Sequence, residues 1–182
     1  MKKVLILTSS PVAGGNTNTM ASAFEAEAIK KGALVTRYDM NAVRGTGCCA
    51  CMACRKTSVK CVLKDGVGEV LEAFREADVL VMAAPVWWLE VPVSLRRFVE
   101  RWFSLVDASF APRLPAGKSA ALLFSQGAGD ESFQDLPARY KEMLDWIGVK
   151  ESHVVRHCSS DENPIRESGV LDAVTKLAQT VV

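Results

Sequence analysis

Short apolar runs and longer segments with helical spacing alternate along almost the whole sequence. The apolar runs, rich in Val, Leu and Ala, lie at Lys3 to Thr8, Leu34 to Asp39, Asp78 to Ala84, Ser119 to Ser125 and Glu151 to His157. The helical segments follow each in turn, at Thr17 to Lys31, Val67 to Ala77, Pro92 to Val106, Ser132 to Ile147 and Ile165 to Val181. A strand that is apolar throughout must be covered on both faces, and parallel neighbours need a crossover, usually a helix, between them. Five such units predict an α/β domain with a doubly wound, five-stranded parallel sheet. A chain of 182 residues fits a single domain over 1–182 that buries its core without disulfide help.

Punctuation agrees with these boundaries. Asn16-Thr17 offers capping side chains, Gly32 follows Lys30-Lys31 as a stop, Pro92 suits a first helical turn, and Gly148 closes the fourth helix. The one long irregular stretch, Met40 to Asp65, carries five of the six cysteines, and a loop of that length inside a compact domain is usually functional.

Charge narrows the partners. Acidic and basic residues nearly cancel at a net +1, so the electrostatic case for nucleic acid or an anionic membrane is missing and a small-molecule ligand is expected. The apolar run Val4-Leu5-Ile6-Leu7 is too short for a signal-peptide core, and no stretch reaches the roughly 18 to 20 apolar residues of a membrane span. A cytoplasmic location is expected. In that reducing setting, clustered cysteines point to metal or redox chemistry before disulfides.

In an open parallel sheet the ligand sits beyond the carboxyl ends of the strands. After the first strand comes Ser9-Ser10-Pro11-Val12-Ala13-Gly14-Gly15-Asn16-Thr17, whose hydroxyls, amide, glycines and helix start suit a phosphate; an ordinary capped turn is the plainer reading. After the third comes Pro85-Val86-Trp87-Trp88, and two adjacent tryptophans at a strand end cannot both point into one core, so one is free to lie against a planar ligand or an interface. After the fourth comes Ser125-Gln126-Gly127-Ala128, small and polar, with backbone able to approach a ring edge. Gly117-Lys118-Ser119 fails as a phosphate loop because it leads into a strand, and Gly45-Thr46-Gly47 through Ala50 fails as a dinucleotide motif because it follows no strand-turn. Anion cradle, aromatic wall and glycine-rich rim together predict a pocket for flavin mononucleotide (FMN).

The sequence resembles the flavodoxin-like NAD(P)H-dependent FMN reductases, including the iron-sulfur flavoproteins. The likeness is carried by Ser10-Pro11 with Gly15-Asn16-Thr17, by Gly47-Cys48 through Cys61, and by Pro85-Val86-Trp87-Trp88 with Leu95, Phe98 and Arg101. It spans roughly residues 3 to 130; the last third agrees only in its strand-helix pattern. Three positions depart from the family pattern: Val12 where a basic residue is common, Trp87 where tyrosine is usual, and Asp65-Gly66 where two acidic residues often stand. The resemblance implies strand order 2-1-3-4-5, Ser10, Asn16 and Thr17 on the FMN phosphate, and Pro85 to Trp88 and Ser125 to Ala128 bordering the isoalloxazine. It also implies a homodimer or homotetramer.

Cys48, Cys51, Cys54 and Cys61 are spaced C-x2-C-x2-C-x6-C, with Cys49 as an extra thiol. Soft thiolates so placed suit a [4Fe-4S] cluster, and the spacing looks like that of the iron-sulfur flavoproteins. A tetrahedral zinc site, a redox dithiol, or thiols lining a flavin pocket are the alternatives. Cys49, Cys158, His153 and His157 read as structural or incidental.

The expected function is transfer of electrons from NAD(P)H through FMN to a small-molecule or protein acceptor, with no side chain needed as general acid or base. The alternative is an electron-transfer protein that links a [4Fe-4S] cluster to FMN. A pure flavodoxin-type carrier is disfavoured by the neutral charge. A response-regulator-like domain is disfavoured by Thr8 and Ser9 where acidic residues are needed, and a zinc scaffold leaves the first and third loops unexplained.

Overall fold

The computed structural model describes residues 1–159, 165 and 168–182. Five strands, β1 (Lys3–Thr8), β2 (Leu34–Asp39), β3 (Val79–Pro85), β4 (Ser119–Gln126) and β5 (Glu151–Cys158), form one sheet in the order 2-1-3-4-5. Every pairing is parallel, with Val4 opposite both Val35 and Val79, and Ser119 opposite Glu151. The strands therefore run in step, and Thr8, Pro85 and Gln126 end at one edge of the sheet.

Among the described residues there are six α-helices: α1 (Asn16–Lys30), α2 (Ala53–Lys56), α3 (Gly66–Glu76), α4 (Val93–Glu100), α5 (Asp135–Trp146) and α6 (Val170–Val181). The period-2 alternation of the strands divides the interior into two cores. Val4, Ile6, Val79, Val81, Ala121 and Leu123 meet Phe24 of α1 and Val174 of α6 on one face. Leu5, Leu7, Leu80, Met82, Leu122 and Phe124 meet Phe74, Phe98 and Tyr140 on the other. Strand β3 is buried along its whole length because it lies mid-sheet, whereas edge strand β2 alternates exposed and half-buried residues. Among the described residues no helix is long and apolar enough to cross a membrane.

Three expectations are corrected. The helix predicted over Pro92 to Val106 ends at Glu100, and Arg101–Leu105 form a 3-10 helix. Ser104 Oγ donates to the Arg101 carbonyl at 2.9 Å, and Arg75 Nη2 donates to the Ser104 carbonyl at 3.1 Å, so local side chains compete for the groups that an α-helix needs. The loop predicted over Met40 to Asp65 contains the one-turn α2, too short for any periodic signal. The last helix starts at Val170 instead of Ile165; residues 166 and 167 of that predicted segment lie outside the described residues.

Candidate functional site

A cleft of about 280 Å³ opens at the carboxyl edge of the sheet. It is bordered by Ser10, Gly15, Asn16 and Thr17 from the first loop, Pro85, Val86 and Trp87 from the second, and Ser125, Gln126 and Gly127 from the third. Val12 and Ser159 join them; sequence reasoning assigned neither a role, and Ser159 lies at the end of a strand whose loop carried no motif. Pro11, Trp88 and Ala128, which the sequence placed beside the ligand, are not in the lining. Two larger hollows exist, an apolar one of about 360 Å³ under Trp102 and Trp146 and one of about 730 Å³ beside α3. Among the described residues, the small cleft combines a strand-end position with an unsatisfied helix start.

That start is built for an acceptor. Against the expectation that Asn16-Thr17 supply capping side chains, both lie inside α1; Gly15 is its N-cap, with no side-chain cap. The amides of Asn16, Thr17 and Asn18 have no acceptor among the described residues, whereas Gly15 N donates to Val12 O at 3.0 Å and Thr19 N to Gly15 O at 3.0 Å. Unpaired N–H groups at the positive end of a helix dipole attract an anion without needing a cation, and among the described residues no charged side chain borders the cleft. The turn is tight: a Cβ on Gly15 would stand 3.1 Å from Val12 Cβ. Asn18 shapes it by donating through Nδ2 to the carbonyls of Ser10 (3.3 Å) and Val12 (2.8 Å). Thr17 Oγ1 and Ser125 Oγ share a buried hydrogen bond of 2.6 Å, which ties the first loop to the third.

The second loop is a two-residue reversal, with Trp87 and Glu90 exchanging backbone hydrogen bonds and Trp88 and Leu89 at φ +48° and +69°. Left-handed backbone is costly for such side chains, so the turn must be held from outside. Tyr140 Oη donates to Glu90 Oε1 at 2.8 Å, and Arg139 Nη2 to Leu89 O at 3.2 Å. Burial raises the Tyr140 pKa beyond its usual range, and the adjoining Glu90 carboxylate adds to the effect, so the phenol stays a donor. Trp87 keeps half its surface exposed beside the cleft, while Trp88, 98% exposed, points away from every packing partner.

The cysteine loop is held by arginines. Arg97 donates to the carbonyls of Met40, Val43 and Gly45. Arg101, fully buried, donates through Nη1 to Asp65 Oδ1 (2.5 Å) and through Nη2 to Leu63 O (2.8 Å) and Cys61 Sγ (3.3 Å). Arg113 donates to Cys54 O and Val59 O at 2.9 and 3.2 Å. The thiols differ in setting: Cys48, Cys49 and Cys51 are exposed, Cys54 is buried and Cys61 is intermediate. A hydrogen bond from the Ala53 amide draws the Cys51 thiol below its ordinary pKa, whereas burial pushes Cys54 up. All five border one small space of about 20 Å³. Among the described residues no group of three or more Cys, His, Asp or Glu side chains is placed to hold a metal ion. The soft donor set fits a cluster chemically; the placement does not.

Comparison with known proteins gives a consistent result. An iron-sulfur flavoprotein of Methanosarcina thermophila is 28% identical over 153 residues, covering 84% of this chain and 76% of the relative. Among solved structures, an FMN-dependent NADH-azoreductase of Bacillus anthracis str. Ames Ancestor, in complex with FMN, superposes with TM-score 0.78 at 13% identity over 98% of this chain and 99% of that one. An NAD(P)H:quinone oxidoreductase of Methanothermobacter marburgensis superposes with TM-score 0.75 at 19% identity, covering 99% and 96%. The profile of the flavodoxin-like fold family matches residues 2–181, and the chain belongs to that family.

Proposed function

We propose that the chain binds FMN in the strand-end cleft and acts as an NAD(P)H-dependent oxidoreductase. The observation that carries this reading is the α1 start, with three amides lacking acceptors beside Ser10 and the Asn16 and Thr17 side chains. These groups hold the phosphate; Pro85, Val86 and Trp87 form one wall for the ring, and the backbone at Gly127 meets its edge. Bound FMN supplies the hydride chemistry, and the chain positions it and limits water beside it. The family membership and the neighbours named as FMN-dependent or NAD(P)H oxidoreductases support the reading. Near-neutral charge supports a small-molecule or protein acceptor over nucleic acid, and cytoplasmic homodimers or homotetramers fit the same picture.

The test is FMN titration of the purified protein, followed by flavin fluorescence. Replacing Asn16 and Thr17 together by alanine is expected to weaken binding by about tenfold or more, since each removes a polar partner of the phosphate. Affinity equal to that of the unaltered protein sinks the phosphate assignment.

A second reading, an iron-sulfur flavoprotein, is supported by the cysteine spacing and by the name of the Methanosarcina relative. Anaerobic purification with iron and acid-labile sulfide analysis decides it: stoichiometric iron and sulfide establish the cluster, and metal-free protein leaves the thiols as thiols.

A further inference from the structure

Gln126 ends β4 and borders the cleft, yet its amide is engaged from behind. Nε2 donates to the carbonyls of Ala128 (3.3 Å), Gly129 (2.8 Å) and Ser132 (3.1 Å). Its Oε1 accepts from Arg156 Nη2 at 3.2 Å. Arg156 reaches over from β5 and also donates to Ser132 O at 2.5 Å, Asp130 O at 3.2 Å and Asp130 Oδ1 at 3.1 Å. Its side chain is only 15% exposed. One planar fork therefore orients the Gln126 amide and gathers the loop carbonyls, a task that the single ammonium of lysine cannot reproduce.

The gathering has a direction. A trans peptide points its C=O and N–H oppositely, so drawing the carbonyls of Ala128, Gly129 and Asp130 toward Gln126 and Arg156 turns the amides of Gly129, Asp130 and Glu131 outward. Among the described residues, the amides of Gly127 through Glu131 have no acceptor. Among the described residues, the result is a loop whose Ala128, Gly129 and Asp130 carbonyls are engaged and whose amides have no acceptor, and one end of it, Gly127, borders the cleft.

We propose that Arg156 is a positioning residue for the cleft: acting through Gln126, it fixes the loop that starts at Gly127, so that the Gly127 backbone forms the rim for the edge of a bound flavin. This inference rests on the FMN reading above. Two-electron reduction of FMN with uptake of one proton leaves an anion, and a cation behind the rim favours that form over the neutral oxidised one. The midpoint potential of bound FMN therefore depends on Arg156, which a purely structural role does not require.

The test compares the unaltered protein with Arg156→Met, Arg156→Lys and Gln126→Leu. FMN affinity is measured by fluorescence, the midpoint potential by dithionite titration, and loop order by hydrogen exchange of the flavin-free protein. Arg156→Met is expected to weaken FMN by about tenfold, the effect of one well-placed charged hydrogen-bonding group. It also lowers the potential and speeds exchange over residues 127–132. Arg156→Lys keeps the charge without the fork, so it restores the potential more than the affinity. Adding Gln126→Leu to Arg156→Met costs little more, because the two act as one unit. Unaltered affinity and potential in Arg156→Met overturn the positioning role and leave the flavin reading standing. Failure of the unaltered protein to bind FMN overturns that reading, and this inference with it. Should Arg156→Met not fold, unchanged affinity in Gln126→Leu overturns the role.

Discussion

The cradle loop before α1 and the cysteine loop before α3 both leave the carboxyl edge of the sheet, and they treat their polar groups in opposite ways. Among the described residues, the cradle leaves the amides of Asn16, Thr17 and Asn18 without an acceptor, and it stays open. The cysteine loop has its carbonyls taken by Arg97, Arg101 and Arg113, caps α3 through Asp65, and closes around a space of about 20 Å³. Strain follows the same division: Ala50 and Met52 adopt φ +55° and +61°, and no residue of the cradle leaves the ordinary region. Open donors mark a place for a guest; consumed acceptors mark a segment that supports itself.

The sharpest way to break this comparison is to remove Arg101. Its side chain is fully buried and pairs with Asp65. Arg101→Met takes the charged partner from that carboxylate, leaves the Leu63 carbonyl and the Cys61 thiol without their donor, and is expected to cost about 3 kcal/mol, read by urea unfolding. FMN affinity should survive in the fraction that folds. A loss of affinity as large as the Asn16 and Thr17 double replacement shows that the two loops are not independent.

The acid limb of stability sharpens the point. Burial opposes ionisation of Asp65, but hydrogen bonds from Arg101, Gly68 N and Thr46 N outweigh it and hold the carboxyl below its ordinary pKa. A depressed folded pKa contributes stability above the unfolded value of about 4, and that contribution is lost as pH falls through the folded value. Asp65→Asn should therefore be less stable than the unaltered protein at neutral pH and lose less on acidification below about pH 4. Parallel unfolding curves at pH 7 and pH 3 contradict the assignment.

The smallest expected effect is a gain. Ala50→Gly relieves a left-handed position at the cost of some unfolded-chain entropy, for a net stabilisation of about 0.5 kcal/mol in thermal unfolding. A clear loss there means that the Ala50 methyl group packs in the loop.

The strands were legible because each is a continuous apolar run, and two buried faces leave such runs few alternatives. The cradle was legible for a related reason: Gly15, Asn16 and Thr17 are local to the turn they form. What escaped notice depends on partners distant in sequence. Arg101 stood out only through the family resemblance, and nothing local shows that Cys61 and Asp65, 40 and 36 positions away, come to meet it. Gln126 borders the cleft, but nothing nearby in the sequence announces its partner Arg156, 30 residues on. The tryptophan pair was read correctly as too much for one core, but the turn places Trp87, not Trp88, beside the cleft.

The hydroxyl contact between Thr17 and Ser125 joins positions 108 residues apart. Closing so long a span cannot precede the docking of β1, β3 and β4 into adjacent places. A nascent chain therefore has nowhere to receive a guest until well past its midpoint, and capture of one reports that the centre of the molecule has been assembled.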